Sequence, residues 1–118
     1  MVNTVTLLGY LRQTPTLSHT HNGTSYALLA IETERTWRDS EGERRTDREI
    51  HTVQVWRALA EACSQYLRAN QLVYIAGRLH TRAWEDDQRV THQHTDVIAE
   101  QVKFLPHYHP ATHEPASE

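Results

Sequence analysis

Apolar and polar positions alternate most clearly over residues 71–86, QLVYIAGRLHTRAWED. Val73, Ile75, Gly77 and Leu79 fill one set of alternate positions; Tyr74, Ala76, Arg78, His80, Arg82 and Trp84 fill the other. A period of two over this length predicts a β-strand with two unlike faces. The first face is aliphatic and is assigned to a core. The second is basic and aromatic. Cations beside an exposed indole suit a polyanion that carries flat rings, which means single-stranded nucleic acid.

The rest of the chain is ordered around that strand. Residues 4–11, TVTLLGYL, predict a short strand interrupted by Gly9, where a bulge or a tight barrel bend is expected. Residues 13–23 read as a loop, with Asn22-Gly23 as a turn signal. Residues 24–36 predict a second strand. Residues 37–48 are charged and, apart from Trp37, poor in apolar side chains, so an extended hairpin with its tip near Gly42 is expected. In the third strand, residues 49–56, His51, Val53 and Val55 share one face, while Ile50, Thr52, Gln54 and Trp56 share the other. Over residues 57–69 the period changes. Leu59, Ala62, Cys63, Tyr66 and Leu67 fall at i, i+3, i+4, i+7 and i+8, which predicts a helix with Cys63 and Tyr66 in the core and Asn70 closing it in the left-handed conformation. The strand of residues 71–86 is fourth, with a turn at 86–88 and a fifth strand over 90–99. Pro106, Pro110 and Pro115 punctuate residues 106–118, read as a disordered His- and Pro-containing tail behind a domain of residues 1–105. Three strands, one helix and two strands make an all-β chain with one helix. That is the order of the OB-fold, a five-stranded, partly open Greek-key barrel with the helix between strands three and four.

Composition narrows how such a face could hold a ligand. The 118 residues fit one domain with one core. Twelve Lys+Arg against fifteen Asp+Glu give a formal net charge of −3, far from the balance of a protein that grips DNA by charge alone. Lys103 is the only lysine; the other cations are arginines, which stack on planar bases and fork onto phosphate. Protonating all nine His would move the charge to +6, since −3 + 9 = +6, so single-strand affinity is expected to rise in acid with His80 as the carrier. Cys63 is alone, which excludes a disulfide framework or a Cys-based zinc site within one chain. No apolar run approaches a membrane span and no leader precedes Val5, so a cytoplasmic, nucleoid-associated protein without a membrane partner is expected. His19 and His21, His92 and His94, and His107 and His109 are His-x-His pairs, and strand spacing would let His92 and His94 share an ion. No further ligand spacing completes a set, so solvated His is the default and neither metal nor cofactor is expected. A nucleophile–base pair, a phosphate-cradling Gly loop and paired acids are all missing, which argues against an enzyme.

A longer pattern spans most of the domain. It includes Asn3-x-Val5, Leu8-Gly9-x-Leu11, Pro15, Asn22-Gly23, Trp37-Arg38-Asp39 and Gly42-Glu43. It continues without a gap from His51-x-Val53 through Leu59-Ala60-Glu61 and Tyr66-Leu67 to Val73-Tyr74-Ile75-x-Gly77-x-Leu79-x-Thr81-Arg82-x-Trp84. In these residues the chain resembles the bacterial and organellar single-stranded DNA-binding proteins. The resemblance implies an OB-fold protomer, usually a homotetramer, that binds single strands with little sequence preference during replication, recombination or repair. It places Trp37, Trp56 (where the family usually has Phe) and Trp84 on stacking positions. Ile50 stands where a Trp is usual, Thr52, Ala58, Ala69 and Ala83 are neutral where the family is often basic, and His80 replaces a common Arg. The family's acidic recruiting tip is not expected, since the sequence given ends Pro115-Ala116-Ser117-Glu118.

The resulting expectation is base stacking on Trp37, Trp56 and Trp84, apolar contact from Ile50, and phosphate contacts from Arg38, Arg78 and Arg82, with His80 on the same face. Arg44, Arg45 and Arg48 lie among Glu41, Glu43, Asp47 and Glu49, where a solvated, salt-bridged hairpin competes with a phosphate path. The competing reading of the indoles is core or subunit interface. The alternative for the whole chain is a divergent paralogue that acts as a protein–protein adaptor with weak DNA binding, motivated by the low basic count and by Ile50.

Overall fold

Val73, Ile75 and Gly77 are buried while their neighbours are less so, as a half-buried strand requires. They lie in β5 of a computed structural model that describes residues 1–109. The elements are β1 (Val5–Leu11), β2 (Ser18–His19), β3 (Ser25–Arg38), β4 (Arg44–Trp56), α1 (Arg57–Tyr66), β5 (Gln71–Glu85) and β6 (Thr91–Tyr108). Two long antiparallel hairpins dominate. β3 and β4 pair from Tyr26↔Trp56 out to Arg38↔Arg44. β5 and β6 pair from Glu85↔Thr91 back to Gln71↔Tyr108. β1 runs antiparallel along β5 and then crosses to β3 at Tyr10↔Glu32 and Leu11↔Ile31. β4 meets β6 in parallel at Val53↔Val97 and Gln54↔Ile98. The ring β1-β3-β4-β6-β5 is therefore a closed five-stranded barrel with the OB-fold strand order. It closes more fully than the partly open barrel expected. The two-residue β2, hidden in the loop of residues 13–23, adds to the outer edge of β3.

Closure needs backbones to approach more nearly than side chains allow. A Cβ on Gly9 would collide with the Glu32 carbonyl, where β1 leaves β5 for β3. A Cβ on Gly77 would collide with the Ile98 carbonyl, where the β5–β6 register shifts. The bend expected at Gly9 is thus observed, and its cause is contact with a neighbouring strand.

Leu29, Ile31, Val53, Val55, Val73 and Ile75 fill the interior, and α1 packs on β3 and β4 to cover one end with Ala60 and Cys63, followed by Leu67. Burial pushes the Cys63 thiol up to about 11. The helix ends at Tyr66, earlier than residue 69. Tyr66 is not a core residue: it is 61% exposed, because the buried stripe runs through Ala60, Cys63 and Leu67 and Tyr66 lies on its flank. Asn70 is left-handed as expected (φ 72), but its place is the joint into β5 rather than the helix end. There its N–H donates to the Leu11 carbonyl (2.6 Å) and its carbonyl accepts from His109 N–H (2.8 Å). Leu79, assigned to the core by alternation, is 46% exposed, because β5 outruns the barrel and no layer lies beneath its far half.

β6 also departs from expectation. It continues past residue 99 and through Pro106 to Tyr108, so the first part of the segment read as a tail is strand. Pro106 is tolerated because β6 pairs there with β5 alone and leaves its other edge unpaired among the described residues. The tail reading for residues 110–118 lies outside the described residues.

Three turns share one design. Residues 20–24, 39–43 and 86–90 each close with an N–H of the first residue donating to the carbonyl of the fifth, and each has its fourth residue left-handed: Gly23, Gly42 and Arg89. The hairpin tip expected near Gly42 is the second of these. Asp39 Oδ1 accepts from the amides of Glu41 and Glu43, and Asp86 Oδ1 accepts from those of Gln88 and Val90. The Glu43 amide, then the Arg45 guanidinium, hold the Asp39 carboxyl below the usual carboxylate range. His92, then the Val90 amide, do the same for Asp86. A depressed folded pKa means that ionisation favours the fold. The contribution is complete above the unfolded value of 3.8 and is lost as pH falls through the lower folded value. Melting temperature is expected to drop on acidification below about pH 4, and the double variant Asp39→Asn, Asp86→Asn to drop less. Equal acid limbs for the two proteins in a pH series of thermal melts would contradict this.

Candidate nucleic-acid interface

Strand order places β6 between β4 and β5, so residues from three strands form one face. β4 contributes Ile50, Thr52, Gln54 and Trp56, the positions alternate to the buried Val53 and Val55. β5 contributes Arg78, His80, Arg82 and Trp84, paired across to Ile98, Asp96, His94 and His92 of β6. Ile50 is 50% exposed and Trp84 45% exposed, while Trp56 is half-buried. Trp56 and Arg78 line one groove of about 390 Å³ with Ile98 and Ala99 as its floor.

Each indole is backed on one side. Tyr26 stacks on Trp56 with centroids 5.2 Å apart and planes at 29°. His92 stacks on Trp84 at 5.4 Å and 25°, and the Arg82 guanidinium lies 5.0 Å from the Trp84 ring centre. The Arg35 guanidinium covers Trp37 at 4.3 Å. Such backing holds a flat side chain still and leaves its other side for a partner ring. The local cause at Trp56 is the chain path. Trp56 is the last, extended residue before α1, and Arg57 then turns the chain through a left-handed conformation (φ 57).

Six of the expected residues come together: Trp56, Ile50, Arg78, His80, Arg82 and Trp84. Trp37 does not join them in register. It pairs with Arg45, and its parity is that of Ile31 and Arg35, so it faces the opposite side of the β3–β4 hairpin from Ile50 and Trp56. Arg38 has the parity of Trp56 but lies at the hairpin end, where its Nη1 donates to the Gly42 carbonyl (2.9 Å). Arg45 and Arg48 are ion-paired to Asp39 and Glu34, each at 2.9 Å, so the salt-bridged reading holds for them. His80 is exposed. His92 and His94 each lie beside a carboxylate: His92 beside Asp86 at 2.8 Å, His94 beside Asp96 at 2.9 Å.

Three participants escaped the sequence reading: Tyr26, Gln54 and Asp96. Asp96 is only 6% exposed. Its Oδ2 accepts from Gln54 Nε2 (2.9 Å) and lies 3.6 Å from Arg82 Nε. Gln54 Oε1 in turn accepts from Trp56 Nε1 (2.9 Å). The signal for Gln54 was present, since it shares parity with Trp56. For Tyr26 and Asp96 the partner is on another strand.

Residues 2–105 match the model of the single-strand binding protein family. Among curated relatives, single-stranded DNA-binding protein 1 of Chlorobaculum tepidum is 33% identical over 105 residues, covering 88% of this chain and 65% of the relative. A single-stranded DNA-binding protein of Neisseria meningitidis is 32% identical over 104 residues, covering 88% of this chain and 60% of the relative. The chain thus spans less than two thirds of the length of these relatives. Among solved structures, a Plasmodium falciparum single-strand binding protein in complex with single-stranded DNA superposes with a TM-score of 0.77 at 27% identity, over 89% of this chain and 96% of that one. The wild-type single-stranded DNA-binding protein of Thermus aquaticus superposes with a TM-score of 0.76 at 28% identity, over 88% of this chain and 50% of that one.

The unequal exposure of the indoles can be measured. In variants retaining one Trp each, acrylamide is expected to quench Trp84 more strongly than Trp56 or Trp37. Equal quenching constants would contradict the packing described.

Proposed function

The chain belongs to the single-strand binding protein family, and from that premise we propose that it binds and shields single-stranded DNA in replication, recombination or repair. The observation that carries this reading is the joint face of β4, β6 and β5. It offers two backed indoles, Trp56 and Trp84, beside Arg78 and Arg82. Bases stack on the indoles, Ile50 adds an apolar contact, and the guanidiniums, with His80, face the phosphates. Trp37 and Arg38, on opposite sides of the hairpin arm, serve a strand that wraps around that arm. The work is binding without turnover. The adaptor alternative has less support, since the face offers indoles at half exposure with cations beside them. No helix among the described residues is long and apolar enough to cross a membrane.

Single-stranded oligo-dT is expected to quench most of the intrinsic Trp fluorescence, and duplex DNA little, since its bases are already stacked. Trp56→Ala and Trp84→Ala are each expected to weaken binding by about 1–3 kcal/mol. Their cost in stability is expected to stay below the roughly 3–5 kcal/mol of a Trp truncated in a core. Ile50→Trp is expected to tighten binding by adding a platform. Saturating oligonucleotide that leaves the fluorescence unchanged would sink the reading.

Assembly as a homo-oligomer, a tetramer in the resemblance, belongs to the same proposal. Its support is β1, which pairs with β5 on one edge and reaches β3 only at Tyr10 and Leu11, so the other edge over its first residues is unpaired among the described residues. Exposed Leu8 lies on that strand. A second copy could extend the sheet there. Sedimentation velocity at micromolar concentration is expected to give a species of about four chains; a monomer alone would refute it.

A further inference from the structure

A single buried carboxylate links the two stacking platforms. Trp56 Nε1 donates to Gln54 Oε1 (2.9 Å), and Gln54 Nε2 donates to Asp96 Oδ2 (2.9 Å). The same oxygen lies 3.6 Å from Arg82 Nε, and the Arg82 guanidinium lies 5.0 Å from the centre of Trp84. The other oxygen of Asp96 is 2.9 Å from His94 Nε2. Trp56 on β4 and Trp84 on β5 are thus joined through one residue of β6, the strand between them. We propose that Asp96 is the positioning residue of this interface: it fixes the plane of Trp56 through Gln54 and holds Arg82 over Trp84, so that the two platforms present a common alignment to one strand of DNA. This rests on the single-strand binding proposed above.

The geometry distinguishes this role from that of a bystander charge. Asp96 is buried, so it does not meet phosphate itself. It approaches Arg82 at Nε (3.6 Å), and the Arg82 side chain is otherwise largely exposed. An Arg held by one edge and backed by an indole offers its remaining N–H fork with little freedom left to lose, which lowers the cost of fixing it on a ligand. Gln54 has one amide with a carbonyl end and an NH₂ end. The carbonyl goes to Trp56 and the NH₂ to Asp96, so the amide cannot flip without breaking both bonds. A neutral residue at position 96 would accept less strongly from Gln54 and would no longer attract Arg82 or a protonated His94.

The sign of one substitution tests the idea. Removing a negative charge from a DNA-binding face strengthens binding when the charge is a bystander, because a repulsion is lost. Glu100→Gln supplies that reference, since Glu100 is exposed, lies 3.6 Å from Arg78 and has no part in the link. Titration with oligo-dT is expected to show Glu100→Gln binding at least as tightly as the parent. Asp96→Asn, with the same change in charge, is expected to bind about three- to tenfold more weakly, a part of the loss of one stacked base. Gln54→Met cuts only the branch to Trp56 and is expected to weaken binding within the same range. It decides the matter if Asp96→Asn does not fold.

A readout without DNA separates positioning from general stability. With Trp37 and Trp84 replaced by Phe, the time-resolved fluorescence anisotropy of Trp56 is expected to gain a nanosecond component on Gln54→Met, well below the melting temperature. If oligo-dT fails to bind the parent protein yet this component appears, the positioning stands and the DNA-binding reading falls. The proposal is overturned if Asp96→Asn and Gln54→Met bind as tightly as the parent, or if Trp56 remains equally restrained in Gln54→Met.

Discussion

Two strands far apart in the chain, β4 and β6, touch in parallel over Val53↔Val97 and Gln54↔Ile98, and the candidate interface depends on that contact. It closes the barrel, and it brings the outward residues of β4 beside those of β6 and, through β6, beside those of β5. Without it, Trp56 and Trp84 would stand on separate hairpins with no common face. The contact is short, and parallel pairing is slightly weaker per residue than antiparallel. Its stability therefore comes from the side chains on either side. Val53 belongs to the barrel core, where fully burying a Val contributes about 1.5–3 kcal/mol, and the partly buried Val97 packs against it. On the outer side Gln54 and Asp96 tie the same two strands by a hydrogen bond. Gly77 serves the same closure, since only hydrogen fits beside the Ile98 carbonyl.

In the proposed complex with single-stranded DNA, the electrostatics of the face favour rings over charges as the source of affinity. Arg78 and Arg82 each face a carboxylate at 3.6 Å in the free protein. A phosphate that approaches them competes with charge already present. The Arg78–Glu100 pair is exposed, and exposed ion pairs contribute about 0–1 kcal/mol, so exchanging that carboxylate for a phosphate yields little. Stacking on an indole contributes roughly 1–3 kcal/mol per base and has no such competitor. A net charge of −3 is compatible with this division of labour, and it limits the counterions that binding could release.

Much of this architecture was legible from alternation. Val73, Ile75 and Gly77 sat on a core face, Ile50 and Trp56 on the outer one, and the hairpin tip at Gly42, as a period of two and a turn glycine require. Alternation reports which side a residue faces, not whether anything lies there. Leu79 has the parity of Ile75, yet β5 has left the barrel by that point. Helical spacing failed in another way at Tyr66: the stripe that packs is Ala60, Cys63 and Leu67, and Tyr66 sits just outside it. Trp37 was separable in principle, since it lies six residues after Ile31 on one unbroken strand. Treating the charged hairpin as a segment of its own hid that parity. Asp96 and Tyr26 were illegible for a different reason: their partners are on other strands, and pairing between distant strands leaves no periodic trace.

The buried thiol has a consequence for how the molecule opens. Cys63 is the one cysteine of the chain, it lies against the barrel interior, and its thiol is pushed up to about 11. The reactive thiolate is thus scarce at neutral pH as long as the helix stays seated. Modification by an alkylating reagent therefore counts only the rarer events in which α1 lifts or the whole domain unfolds. The chain carries a native chronometer for its slowest motion, at a site buried in the core rather than on the face proposed to meet DNA.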